Sequence, residues 1–449
     1  MERYAGVDWA SEKHDVLVQD AGGAEVLAAT FTHDERGLAA LCATLVRLNV
    51  VLVAIERPDG LLIERLLDCG LRVIAIHPNQ VAAARPRFRA SGGKSDRFDA
   101  CVLCELARTD SHRFRVLVCD SDDTKALRAL SRAREDLVQA RVALANQLRA
   151  ELERFWPAAA LVFADIDSPI GLLFLERYPT PSDTKGLGEK RLAAFLARHA
   201  YCGRRTPAQL LSKLRDAPHG RAGDAEIEAR RAIVLALVAA LKPIVAKISE
   251  LTREIAHRVR AHPDGQIFLS LFKDPRSVVC AAALLAEIGD CRARYRSAEA
   301  LAADAGMSPI AVESGKRKVA CFRRGCDHRL RAAMSTLADA TRHWHPWAAD
   351  RYATARARGQ DHQRAIRTLG RAWCRVLWRC WQDNAAYDPA RHRGLQHHIA
   401  VTIPDPSRPR LDLTATQRMA GAAVTRRAAR SAEREALDSK PTTATSTKG

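Results

Sequence analysis

Along the first hundred residues, hydrophobic positions keep two rhythms in turn. "YAGVDWA", "HDVLVQD" and "EVLAATFTHD" read as three short strands, and "DAGGAE" between the second and third has the composition of a hairpin turn. "ERGLAALCATLVRL" then repeats at three and four residues and predicts a helix. "NVVLVAIERP" predicts a buried strand, "GLLIERLLDCG" a helix closed by Gly70, and "LRVIAIHP" another strand. From about Thr124 the period turns helical: Leu130, Leu137 and Leu144 fall seven apart, with Ala133, Ala140 and Leu148 in the alternate seam positions. A second long stretch, "EIEARRAIVLALVAALKPIVAKISELTREIAHRVRAH", contains Pro243, where a kink is expected. Such a pair makes either an antiparallel hairpin within the chain or a dimerising coil, and the pattern favours neither. "YPTPSDTKGLGEK" and "RDAPHGRAGDAE" between them are loop-rich.

The next block holds "VVCAAALLAEIGD", "SAEALAADAGMSPI", a basic loop and two helices. "HRLRAAMSTLADATR" puts Leu330, Ala333, Met334, Leu337 and Thr341 on one face. In the last helix Ile366, Leu369, Gly370, Trp373, Leu377 and Cys380 share the buried side. Arg364, Arg367, Arg371, Arg375 and Arg379 recur along the other, a stripe suited to a phosphate backbone. The expected divisions are a metal-binding domain over 1–118, a helical coiled-coil region with a loop-rich insertion over 119–264, a helical domain over 265–403 and a disordered basic tail over 404–449. A meander followed by helix-strand alternation is the order of an α/β RuvC-like (RNase H-like) domain.

Composition narrows the partners. The 449 residues carry 71 lysines and arginines against 52 acidic residues, a formal charge of +19 that points to a polyanion. The longest apolar run, "AIVLALVAAL", falls short of the roughly 18 residues of a membrane span, so no membrane association is expected. "MERYAGVDWA" leaves no room for a signal peptide, which predicts a cytoplasmic, nucleoid-associated protein. The 12 cysteines have no repeating frame and read as reduced core residues. Cys101 and Cys104 have zinc-knuckle spacing without a second pair, and "RHWHPW" and "RGLQHHIA" lack a cysteine or carboxylate frame.

The acidic residues carry the candidate chemistry. In "SGGKSDRFDA", Ser95 is the expected cap of a helix that sets Asp96 and Asp99 one turn apart, framed by Lys94 and Arg97. Such a pair alone is usually capping and surface charge. Asp8 inside an apolar strand and Glu56 ending another are costly without partners. In an RNase H-like sheet all four would meet at one edge, where one or two Mg²⁺ ions would resolve their repulsion and Lys94 and Arg97 would hold phosphates.

Asp8 in "GVDWA", Glu56 in "AIERPDG" and Asp96 with Asp99 in "KSDRFDA" resemble the DEDD tetrad of the IS110-type (IS110/IS116/IS902) insertion-sequence transposases, relatives of the Piv DNA invertases. The coil up to "ELERFWP" is similar too, so the resemblance covers the chain to about residue 155 and resumes from about 265 to 382. It implies that Ser314, before Gly315 in "AVESGKRKVACFRRGCDHRLRAAM", is a nucleophile that attacks a DNA phosphate and leaves a phosphoserine link. Lys316, Arg317, Lys318, Arg323, Arg324, Arg329 and Arg331 would neutralise charge there and bind nucleic acid, with Arg367, Arg371 and Arg375 beyond them. The family implies a noncoding bridge RNA as a further partner and a homo-oligomer, dimer or tetramer, whose active sites combine modules from different subunits. One departure is "LFKDPRSVVC", which lacks the family's glycine hairpin. The alternatives are a RuvC-like metal-dependent nuclease in which Ser314 is incidental, and an inactive nucleic-acid-binding relative.

Overall fold

The computed structural model describes residues 2–56, 60–89, 95–218, 220–274, 277–314 and 317–402. The chain divides into a unit over Met1–Tyr387 and a second over Asp388–Gly449. The tail expected to be disordered, 404–449, lies outside the described residues.

Strands β1 (Arg3–Trp9), β2 (Lys13–Asp20) and β3 (Glu25–Thr32) form the expected antiparallel meander. β4 (Val50–Ile55) and β5 (Val73–Ala75) add in parallel, giving the sheet order β3-β2-β1-β4-β5. Alternation along β1 sends Ala5 and Val7 to one face, where they pack with Leu38 and Leu41 of α1 (Glu35–Arg47) and Leu62 and Leu66 of α2 (Leu61–Asp68). On the opposite face Leu52 and Ala54 of β4 pack under Val81 of α3 (Pro78–Phe88) and Phe98, Val102 and Leu103 of α4 (Asp96–Asp110). The sequence pattern does not reveal α3, because its periodicity is weak and Pro86 interrupts it; Pro78 in its first turn and a cap from His77 start it.

α5 (Asp122–Phe155) begins at its cap Ser121 and leaves the sheet domain as one helix. Short helices α6 (Pro157–Val162), α7 (Pro169–Arg177), α8 (Glu189–Arg198) and α9 (Pro207–Asp216) share a core with its end, built on Phe155, Trp156, Phe174, Leu192 and Leu210. α10 (Asp224–Ala261) continues through Pro243 without a break. Its side chains meet α5 in reverse order, Arg230 with Glu151, Thr252 with Arg134, and His262 just beyond its end with Thr124, so the intrachain antiparallel hairpin forms. Leu130, Leu137 and Leu144 are only half-buried by it and Ala133 and Ala140 stay exposed. α10 is long and apolar enough by composition to cross a membrane, unlike the short run read from sequence, yet Val234, Leu237, Val238 and Leu241 lie in the helical core.

The rest of the first unit comprises α11 (Gly265–Leu269), α12 (Val278–Ile288), α13 (Ala298–Asp304), the hairpin β6 (Ile310–Ser314) and β7 (Arg317–Cys321), α14 (His328–Thr341), α15 (Pro346–Ala357) and α16 (His362–Gln382). In the second unit α17 (Arg393–Thr402) is the described helix. Where a basic loop was expected there is a β-ribbon, since Val312 opposite Val319 and Ile310 opposite Cys321 supply a strand pattern under the charges. Arg132 grips Glu287 of α12 at 2.9 and 2.7 Å, and Arg329 of α14 reaches Glu135 and Asp136 at 2.8 Å each, so α5 carries the C-terminal helices.

Candidate active site and nucleic-acid interface

Gly6 builds the acidic site. A methyl group on it would lie 2.0 Å from the Ala100 carbonyl and 2.4 Å from the Cys104 amide, so only glycine lets α4 rest directly on β1. Asp8 is two residues on and shares that face. Parallel pairing puts Val7 beside Ile55, which carries Glu56, next in the chain, to the same edge at the C-terminal ends of two neighbouring strands. Ser95 caps α4 by accepting from the Phe98 amide at 3.2 Å, as its sequence predicts, and so sets Asp96 and Asp99 in the first turn.

The other three carboxylates act on Asp8. Asp8 is half-buried, and its pKa is pushed up to about 7 by burial first, then by the charges of Asp99, Asp96 and Glu56, with Asp15 adding to them. Asp15 faces Asp8 across the β1–β2 pair and was not foreseen as part of the group. Asp99 is 3% exposed and gives both oxygens to Arg85 of α3, at 2.6 Å from Nε and 2.9 Å from Nη2. Hydrogen bonding to Asp99 raises the Arg85 pKa, and Glu56 and Asp8 add to it. Among the described residues no three acidic, histidine or cysteine side chains close into a cation cage, and the Asp99 carboxylate is held by a guanidinium instead. Arg85 lies in the helix that the pattern concealed. Gly6 had a signal, a glycine inside an apolar strand.

The basic candidates separate. Lys94, Gly315 and Lys316 lie outside the described residues, and Arg317 and Lys318 are described only as backbone of β7. Arg97 is exposed and pairs with Glu25 of β3 at 3.0 Å. Ser314 is exposed at the tip of β6, opposite Arg317, in a ribbon whose strands pair only with each other. Thus the structure unites Asp8, Glu56, Asp96 and Asp99 and leaves Ser314 on a separate element. Arg329 is held by α5, Arg375 pairs with Glu299 at 3.3 Å and Arg379 with Asp383 at 2.6 Å. Arg324 is exposed. Arg323 and Arg331 bond to backbone carbonyls at the ribbon's base, and Arg323, Arg367 and Arg371 line one cleft.

Of the zinc-like candidates, Cys104 and His345 pack as core while His343 and His397 are exposed. Cys104 is fully buried and donates to the Tyr4 carbonyl at 3.0 Å, while His345 sits among Trp347, Trp373 and Tyr387.

A family model described as a DEDD transposase matches residues 5–157, and one described as the transposase IS116/IS110/IS902 family matches residues 277–353. The chain is 32% identical over 398 residues to the IS117 mini-circle protein of Streptomyces coelicolor, covering 86% of this chain and 96% of that one. It is 29% identical to the 42 kDa protein of insertion element IS900 from Mycobacterium paratuberculosis, over 86% of this chain and 97% of that one. With the 44.8 kDa protein of IS116 from Streptomyces clavuligerus it shares 27% identity, over 86% and 96%.

Proposed function

Since this chain belongs to the IS110 family of insertion-sequence transposases, we propose that it cuts and rejoins DNA through a phosphoserine intermediate on Ser314, assisted by divalent cations at Asp8, Glu56, Asp96 and Asp99. The observation that carries this is that the three other tetrad carboxylates, Glu56, Asp96 and Asp99, act on a half-buried Asp8 at one sheet edge. The strand order β3-β2-β1-β4-β5, with the acids on β1, after β4 and on α4, supports a RuvC-like domain.

The donor set suits a hard cation such as Mg²⁺, being all carboxylate oxygen, and Arg85 already stands in as a positive charge. When bound, the cation supplies Lewis-acid stabilisation of the oxygens on the reacting phosphorus. The remaining work belongs to the chain. Without a cation Asp8 is pushed up to a pKa of about 7, and a cation held there would favour its ionised, ligating form. Ser314 Oγ gives up its proton and bonds to phosphorus as one phosphorus–oxygen bond to the neighbouring sugar breaks, and the departing sugar oxygen takes up a proton, so the phosphodiester count is kept and the released hydroxyl can later reverse the step. The exposed ribbon leaves Ser314 accessible to DNA, and because the ribbon does not pair with the sheet, a homo-oligomer in which one copy's serine serves another's tetrad is compatible with it. A bridge RNA pairing with donor and target DNA fits the basic surface.

The test is a denaturing gel of the protein incubated with DNA carrying the element's ends and RNA transcribed from its flanks. A slow-migrating protein–DNA adduct that needs Mg²⁺ and vanishes in Ser314→Ala and in Asp96→Asn supports the reading. Strand cutting that persists in Ser314→Ala would favour a nuclease instead.

A further inference from the structure

Three of the five arginines on α16 behave unlike the other two. Arg375 and Arg379 find carboxylates, whereas Arg364, Arg367 and Arg371 have no ion pair among the described residues. These three, with Arg323, line a cleft of about 380 Å³ at the base of the ribbon that carries Ser314; Ser308, Phe322 and Thr368 complete its polar and aromatic wall. The cleft exists because two glycines allow it. Gly306 takes a positive φ of +63°, and Gly370 lets the Met307 thioether come within 2.5 Å of where its Cβ would be.

Among the described residues no acidic side chain lines this cleft. Burial first, then the charges of Arg331 and Arg364, depress the Arg367 pKa, against an opposing pull from Asp361. Arg371 Nε and Ser308 Oγ are buried without a hydrogen bond from the protein, so polar groups at the wall are unspent. Phe322 is 46% exposed, with the Arg331 and Arg367 guanidinium carbons each 4.7 Å from its ring centre. Gathering like charges in a cleft is unfavourable unless an anion occupies it, and guanidinium forks match phosphate oxygens. The exposed ring and the guanidinium planes over it form one stacked surface against which a base can lie.

We infer that this cleft seats one nucleotide of an unpaired strand: its phosphates lie on Arg323, Arg364, Arg367 and Arg371 and its base lies on Phe322. A duplex is too wide for a space of this size, whereas a flipped nucleotide or a strand end enters it. The site recognises backbone and stacking surface, so it takes any sequence. Its placement at the base of the ribbon positions a strand for Ser314, and this use rests on the transposase reading above.

The experiment measures fluorescence anisotropy of the full chain with single-stranded and duplex oligonucleotides of matched sequence, in chelator, across a salt series. No strand cutting occurs under these conditions, so failure of the Ser314 chemistry would leave the result intact. Conversely, a cleft that fails to bind leaves that chemistry standing. Arg364→Ala and Arg367→Gln are expected to weaken single-strand binding about tenfold each and to flatten the log Kd against log salt slope by about 0.7 per lost contact. Phe322→Leu is expected to weaken it about fivefold with the slope unchanged. Arg364 and Phe322 are exposed, so these variants test the cleft without threatening the fold. Arg204→Ala, an exposed loop arginine, serves as the control for lost charge. The inference is overturned if the arginine variants match Arg204→Ala, if Phe322→Leu binds single strands as the wild type does, or if duplex binding falls equally.

Discussion

Arg85 holds both oxygens of Asp99 while Glu56 and Asp8 add to its positive field, so the chain itself supplies a cation to the tetrad. Removing that cation has two expected effects. Arg85→Gln leaves a carboxylate that is 3% exposed without its partner, which costs about 3 kcal/mol where no divalent ion is present. Added Mg²⁺ then restores more stability to the variant than to the wild type, read as the shift in melting temperature. Equal shifts would mean that guanidinium and metal do not compete. Asp8 predicts a pH effect of definite sign. Its pKa of about 7 lies above the ordinary 3.8, so folding favours the protonated form; that contribution is complete at acid pH and is lost as pH rises through about 7. Without divalent ions, the melting temperature of the wild type should fall between pH 5 and pH 8 by more than that of Asp8→Asn.

At the scale of elements, the site depends on how closely α4 approaches β1. Gly6→Ala would push a methyl group against the Ala100 carbonyl, and the helix carrying Asp96 and Asp99 must move away. The expected cost is about 3 kcal/mol of stability, measured by denaturant unfolding, together with loss of the covalent adduct. The meander, α1, α2, β4 and the paired long helices were legible because their periodicities are strong over many residues. Ser95 was legible as a cap, and Asp8 and Glu56 as charges in apolar strands. The contact between Arg85 and Asp99 was not, because α3 has little pattern and nothing in a linear sequence shows which guanidinium will meet which carboxylate. The ribbon under Ser314 is not legible as strands, since its charges outweigh a short alternation of β-branched residues. The arginines of α16 looked alike, and only the fold shows that Glu299 and Asp383 occupy two while three share a cleft.

Across the whole molecule, α5 leaves the sheet, pairs with α10 and receives Arg329 and Glu287 from the C-terminal helices. The acids belong to the sheet domain and Ser314 to the ribbon. If sites form between copies, Ser314→Ala and Glu56→Gln proteins, each inactive alone, should recover a fraction of recombination when mixed. No recovery at any ratio would place both modules of a site in one copy. The most direct measurement of the central claim is mass spectrometry of the trapped protein–DNA adduct after protease and nuclease digestion. The account predicts a nucleotide attached to the peptide containing Ser314 and formed only with a divalent ion present. A nucleotide on another residue, or cut DNA with no adduct, would contradict it.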